Sequence, residues 1–210
     1  KEDQKAIYYL TGESRATVEN SPHLEAFRDR GIEVLLLTDP VDEVWTQSVF
    51  EFEGKRFQSV GKGVADLDAE KDDKETPEER KEEEERFKSL FECLQKKLDE
   101  HVKDVRVSSR LTSSPACLVG DEHDMSPQMA QMLRAMNQDV PTVKRVLEVN
   151  AHHPLLERVQ ATFTANPDDP ALDDQARLLY GLAVLAEGGQ PPEPGRFSRL
   201  VADLAVKSFQ

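Results

Sequence analysis

Three observations predict an α+β fold in two parts. Two short apolar runs flank a helical segment near the start of the chain, which is the pattern of a β-α-β unit. A strongly acidic stretch follows and reads as a linker. Beyond it, strand-like runs alternate with helical ones, and the chain closes on two helices with apolar faces.

The first apolar runs are residues 6–10 (Ala-Ile-Tyr-Tyr-Leu) and 32–37 (Ile-Glu-Val-Leu-Leu-Leu), and the helical segment between them ends at Gly31. A second helix is predicted from Pro40, with Val41, Val44, Trp45, Ser48 and Val49 on one face, and residues 55–60 supply a third strand. Residues 1–64 therefore form a small α/β (βαβ) subdomain. Helix starts are marked by Ser21-Pro22, Asp39-Pro40, Thr76-Pro77, Ser126-Pro127 and Asp169-Pro170, each pairing a good N-cap with the residue favoured in the first helical turn. Glu79 completes a capping box with Thr76.

Between Asp66 and Glu85 twelve acidic and four basic residues give −8 of the chain's net charge of −14. Consecutive carboxylates repel one another and point in all directions, so residues 65–76 read as a solvated linker and not as a cation cage. The second domain is 77–210. It opens with a long helix from Pro77 carrying Phe87, Leu90, Phe91, Leu94 and Leu98 at helical spacing, whose polar first turns project into solvent. Strands are predicted at 102–108, 116–120 and 144–150, and helices at 154–165, 170–187 and 196–209.

All four methionines fall in one short segment, at Met125, Met129, Met132 and Met136, and Leu133 joins their face of a helix capped by Ser126 and Pro127. Such a stripe has two readings. Core is the commoner fate of an apolar helical face. Methionine, however, is unbranched and polarizable, and it is over-used on surfaces that must fit varied partners.

The last two helices read as a hairpin. Leu178, Leu179, Leu182 and Leu185 line the first, Gly188-Gly189 ends it, prolines at 191, 192 and 194 turn the chain, and Phe197, Leu200, Val201 and Leu204 line the second. A two-helix hairpin covers its apolar faces poorly alone. Pairing with a copy of itself to give a four-helix bundle is the simple remedy, and packing on its own domain is the other.

With 210 residues and 38% apolar content the chain supports ordinary cores. It has no apolar run long enough to span a membrane and no signal-peptide core. The acidic balance argues against a nucleic-acid partner. Cys93 and Cys117 are far apart and form no metal spacing, which fits a reducing, cytoplasmic compartment. The first residue is Lys1, so the chain is expected to be a fragment or a processed product. Phosphate-cradling, nucleophile-elbow and HExxH motifs are absent, so no catalytic residue and no cofactor is assigned. His152-His153 reads as a solvent-facing pair at a helix start, and Asp121-Glu122-His123-Asp124 as caps and negative charge before a helix. An enzyme using a carboxylate site in the acidic stretch is the weakest alternative.

Ile7-Tyr8-Tyr9, Ser21-Pro22-His23-Leu24-Glu25, residues 31–37, Asp42-Glu43, Phe57-Gln58-Ser59-Val60, residues 102–106 and Arg110-Leu111-Thr112 carry, in order and spacing, a resemblance to the C-terminal half of bacterial heat-shock-protein-90 chaperones. The resemblance covers nearly the whole chain. It implies an ATP-driven homodimeric chaperone whose nucleotide and magnesium sites lie in parts upstream of this chain. Residues 1–64 would be the small end of the middle domain, and 77–210 the C-terminal dimerisation domain.

The methionine helix would then expose Met125, Met129, Met132, Leu133 and Met136 to unfolded or partly folded clients, with Met129 and Met132 the first expected there. A second client contact would lie after Asp39-Pro40. Relatives place tryptophan directly after Asp-Glu, whereas this chain has Val44 and then Trp45, so Trp45 is expected to face differently. Eukaryotic cytosolic members end in an acidic pentapeptide read by helical-repeat cochaperones. This chain ends Val206-Lys207-Ser208-Phe209-Gln210, which implies a bacterial source and no such partners. The alternative reading is a dimerising scaffold whose methionine helix packs in its own core.

Overall fold

The computed structural model describes residues 4–63, 77–141 and 143–208, with two sheets and eight α-helices among them. The linker expected at 65–76, its Thr76 cap and the last two residues lie outside that set. The strands of the first sheet are β1 (Ala6–Thr11), β2 (Val34–Leu37), β3 (Glu51–Phe52) and β4 (Lys55–Ser59), in the order β2-β1-β4-β3. β1 runs parallel to both neighbours, and β3 closes an antiparallel hairpin onto β4 across Glu53-Gly54, both at positive φ. Alternate residues of β1 (Ala6, Tyr8 and Leu10) enter a core with Val18, Leu24, Ala26, Phe27 and Val60.

The single helical segment expected between β1 and β2 is broken. α1 (Arg15–Glu19) is capped by Ser14, a 3-10 turn follows at Pro22–Leu24 behind Ser21, and α2 (Glu25–Asp29) ends before Gly31 at positive φ. The helix expected from Pro40 is shorter than its apolar pattern suggested, because α3 covers only Asp42–Trp45. Its buried side chain is Glu43, while Val41, Val44 and Val49 are exposed.

The second part begins with α4 (Pro77–Lys97), where the expected stripe of Phe87, Leu90, Phe91 and Leu94, continued by Leu98, is buried and residues 84–86 are exposed. Its sheet contains β5 (Val102–Val107), β6 (Ala116–Val119) and β7 (Arg145–Val149), ordered β5-β7-β6 with β7 parallel to β5 and antiparallel to β6. α5 (Pro127–Ala135) lies between β6 and β7 in sequence, and α6 (Pro154–Ala165), α7 (Ala171–Ala186) and α8 (Pro194–Ser208) follow. The strand face bearing Ala116 and Leu118 joins α4, α6 and α7 in the larger core, and the opposite face sets Cys117 and Val119 against Leu111.

Polar groups join the two sheets. Arg110 is fully enclosed, donates to Glu148 Oε2 (2.9 Å), and reaches across to the carbonyls of Val60 (2.5 Å) and Gly63 (2.8 Å). Arg106 and the Ser108 hydroxyl complete the coordination of Glu148. In return, Glu25 of α2 accepts the N–H groups of Thr112 (2.7 Å), Ser113 (2.8 Å) and Ser114 (3.1 Å). Burial alone would raise the Glu25 carboxyl, but these bonds and the Ser114 hydroxyl outweigh it and hold the group below its ordinary value. Burial pushes the Cys117 thiol well above its ordinary value, Glu148 adding to the effect.

Candidate functional site

The methionine helix is α5. Ser126 caps it by accepting the Met129 N–H (3.0 Å), Pro127 supplies the first turn, and Asn137 at positive φ ends it just beyond the C-cap Met136. Met125 therefore precedes the helix. Met136 is 63% exposed and Met125 40%, Met132 and Leu133 are half-buried, and Met129 is only 8% exposed. Met129 thus departs from the expected open stripe, being the buried side chain of α5.

The helix start is tied to α3. The Ser126 hydroxyl donates to Glu43 Oε2 (2.5 Å), and both residues are buried. Glu43 Oε1 has no hydrogen-bond partner among the described residues. Lys62 stands beside this pair: burial lowers its ammonium, while Glu43 and Asp124 act in the opposite direction. Trp45 turns inward, donating from Nε1 to Asp42 Oδ1 (2.8 Å) and meeting Phe57 edge-on at 5.3 Å, so its ring is half-buried. The apolar groups that α3 leaves exposed are Val41 and Val44, the latter standing where relatives are expected to carry the tryptophan.

The other residues read for chemistry have structural roles. Asp124 accepts the Asp121 N–H, and Asp121 pairs with Lys103, closing the turn before α5. His152 is exposed as expected, but His153 is not merely solvent-facing: its Nδ1 accepts the Leu155 N–H and caps α6. Among the described residues no three His, Cys, Asp or Glu side chains converge as metal ligands, and no helix is long and apolar enough to cross a membrane.

The closing pair of helices differs from a simple hairpin. Arg196 bonds to Asp173 and Asp174 (2.9 Å each), Arg177 reaches Glu193 (3.3 Å), and the Phe197 ring lies over Gly181. Residues 187–193 must then run back along α7 before α8 begins, with Pro191 buried on the way. Leu178 and Leu179 are buried in the chain itself, the latter in the main core under the sheet. Leu182, Phe197 and Leu200 are half-buried, and Leu185, Val201 and Leu204 are 46%, 42% and 41% exposed. Every residue from Val201 to Lys207 is exposed, so the C-terminal half of α8 extends from the fold with an uncovered apolar stripe.

Sequence reading missed Arg110, Glu148 and Glu25 as joining residues and Glu43 as the partner of Ser126. Only the long separations between partners, 38 residues for Arg110–Glu148 and 83 for Ser126–Glu43, explain this, since no local spacing reports such pairs.

A family model described as Hsp90 protein matches residues 1–210. Relatives named Chaperone protein HtpG include those of Rhodococcus jostii (52% identity over 99% of this chain), Frankia casuarinae (52% over 100%) and Mycobacterium leprae (49% over 100%). The chain spans about a third of their length, 32% in each case. Matched along its whole length at this level of identity, the chain belongs to the Hsp90 family.

Proposed function

We propose that this chain is the C-terminal portion of an HtpG-type chaperone, that it pairs with a second copy through the stripe of α8, and that it holds partly folded client proteins on the surface around α5 and α3. Residues 1–64 are the end of its middle domain and 77–210 its dimerisation domain. The observation that carries the reading is the placement of two exposed apolar groups, Val41 and Val44 on one side and Met125 and Met136 on the other, about the hydrogen bond between Glu43 and Ser126. Flexible methionines and scattered valines make an adaptable surface without the area that would lock one partner in place.

The stripe of Leu185, Val201 and Leu204 is supplied on both copies by a two-fold axis, which gives the four-helix bundle. ATP and magnesium belong to the parts outside these residues, this portion performs no catalysis, and the protein works in the cytoplasm without nucleic-acid or membrane partners. Burial of Met129 favours a second reading, in which α5 is only a packed element of a dimerising scaffold. The deciding measurements are light scattering and suppression of client aggregation. A dimer that Leu204→Asp converts to monomer, and client protection that falls in a Met132→Ala, Met136→Ala double variant, are expected. A monomeric wild type would refute the pairing, and unchanged protection would leave the scaffold.

A further inference from the structure

α5 is held at one end. Within Pro127–Ala135 only Met129 is buried, and every residue from Arg134 to Asp139 is exposed. The segment before the helix is pinned by backbone pairing: the Gly63 N–H donates to the Gly120 carbonyl (2.9 Å), and Lys62 bridges to Gly120. Ser126, at the N-terminal end, is bonded to Glu43. One turn further in comes Met129, beyond it Ala130, Met132 and Leu133 are half-buried, and the C-terminal end from Arg134 on is exposed.

The bond between Ser126 and Glu43 carries opposing effects. Covering Met129 and making a charge-assisted hydrogen bond favour the docked helix. Keeping Glu43 enclosed, with Oε1 unpaired among the described residues and Lys62 nearby only partly offsetting its charge, opposes it, because water solvates that oxygen more fully once the helix moves aside. The two contributions offset one another, which narrows the free-energy gap between the docked helix and one moved aside.

We propose that the Glu43–Ser126 hydrogen bond is a latch. Closed, it holds α5 down with Met129 covered; open, it lets the helix turn about residues 121–125 and exposes Met129 beside Met132 and Met136, with which it shares a face. The value of such a latch rests on the reading of α5 as a client surface, since it changes how many methionines that surface offers. The latch would also link the two client segments, because Glu43 lies between the exposed Val41 and Val44.

Methionine oxidation tests the latch with no client present. The 210-residue chain is treated with dilute hydrogen peroxide, and each methionine is followed by peptide mass spectrometry. In the wild type Met136 and Met125 should oxidise quickly and Met129 slowly. Glu43→Ala breaks the latch and leaves the Ser126 cap. Ser126→Gly breaks it from the other side; it also removes the cap bond to the Met129 N–H, although glycine is itself a favoured N-cap residue.

Both variants should raise the Met129 rate several-fold towards that of Met136, while Ser126→Thr, which keeps the hydroxyl, should not. Cys117 should stay unalkylated throughout as a control for global folding; if Glu43→Ala fails this control, Ser126→Gly decides. Met129 oxidation as slow in Ser126→Gly as in the wild type overturns the latch. If Met129 is released but client protection is unchanged, the client reading fails and the latch stands.

Discussion

Arg110 and Glu148 form an ion pair at 2.9 Å with side chains 0% and 3% exposed, where the two sheets meet. Arg110 spends its remaining donors on Val60 and Gly63 carbonyls of the first sheet's exit, so one side chain serves both halves. Removing Glu148 leaves the enclosed Arg110 charge without a carboxylate, whereas removing Arg110 leaves Glu148 still paired with Arg106. Glu148→Ala is expected to cost about 3–5 kcal/mol, the scale for breaking a buried pair. A urea denaturation curve checks this, and a loss under about 1 kcal/mol would mean that water already reaches the site.

Gly181 lets the Phe197 ring sit against the α7 backbone, where an added Cβ would overlap the ring. Alanine gains up to about 1 kcal/mol in helix propensity over glycine. Overpacking costs about 1–3 kcal/mol, so the clash should win. Gly181→Ala is expected to lower the denaturant midpoint and to weaken self-association, measured by light scattering at decreasing concentration. A stabilised variant with unchanged association would show that α8 is not seated on α7.

Met129 and Met136 should separate cleanly under truncation. Met129→Ala is expected to cost near the low end of the roughly 2–5 kcal/mol seen for buried methionine, because only the docking of α5 depends on it. Met136→Ala should stay within about 0.5 kcal/mol. Equal effects in a denaturant melt would contradict the burial difference.

The Glu25 clamp makes stability depend on acid. Its carboxyl lies below the ordinary value of 4.5 because bonds from residues 112–114 outweigh its burial. The unfolded chain therefore binds the proton more readily. The contribution is complete above pH 4.5 and is lost as pH falls through the lower folded value. Glu25→Gln should flatten the stability profile in that window and cost about 1–3 kcal/mol at neutral pH through donors left poorly paired. Identical acid slopes for variant and wild type would rule the clamp out.

Elements with caps and sustained apolar spacing are legible in the sequence. α6 occupies Pro154–Ala165, the span its proline and leucines predict, and the stripe from Phe87 to Leu98 is buried. Short elements were not legible, since tertiary contacts decide them. α3 stops after one turn and buries the polar Glu43, because its partner Ser126 arrives from 83 residues away. Spacing placed four methionines near one face but could not say that Met129 would be covered. The closing helices misled similarly: apolar periodicity marks a face, but only the Arg196 pairs with Asp173 and Asp174 reveal where along α7 the next helix starts.

β7 is the last strand in sequence and the middle strand of its sheet. β5 and β6 have no ladder partner until Val149 has left the ribosome, so during synthesis this half remains open while the first sheet, complete by Ser59, can already close. The emerging chain thus carries unpaired strand edges for the whole interval in which α5 is made. A slowly translated message, or a truncation before Arg145, should yield a species prone to strand-mediated aggregation even though every helix-forming segment up to that point is intact.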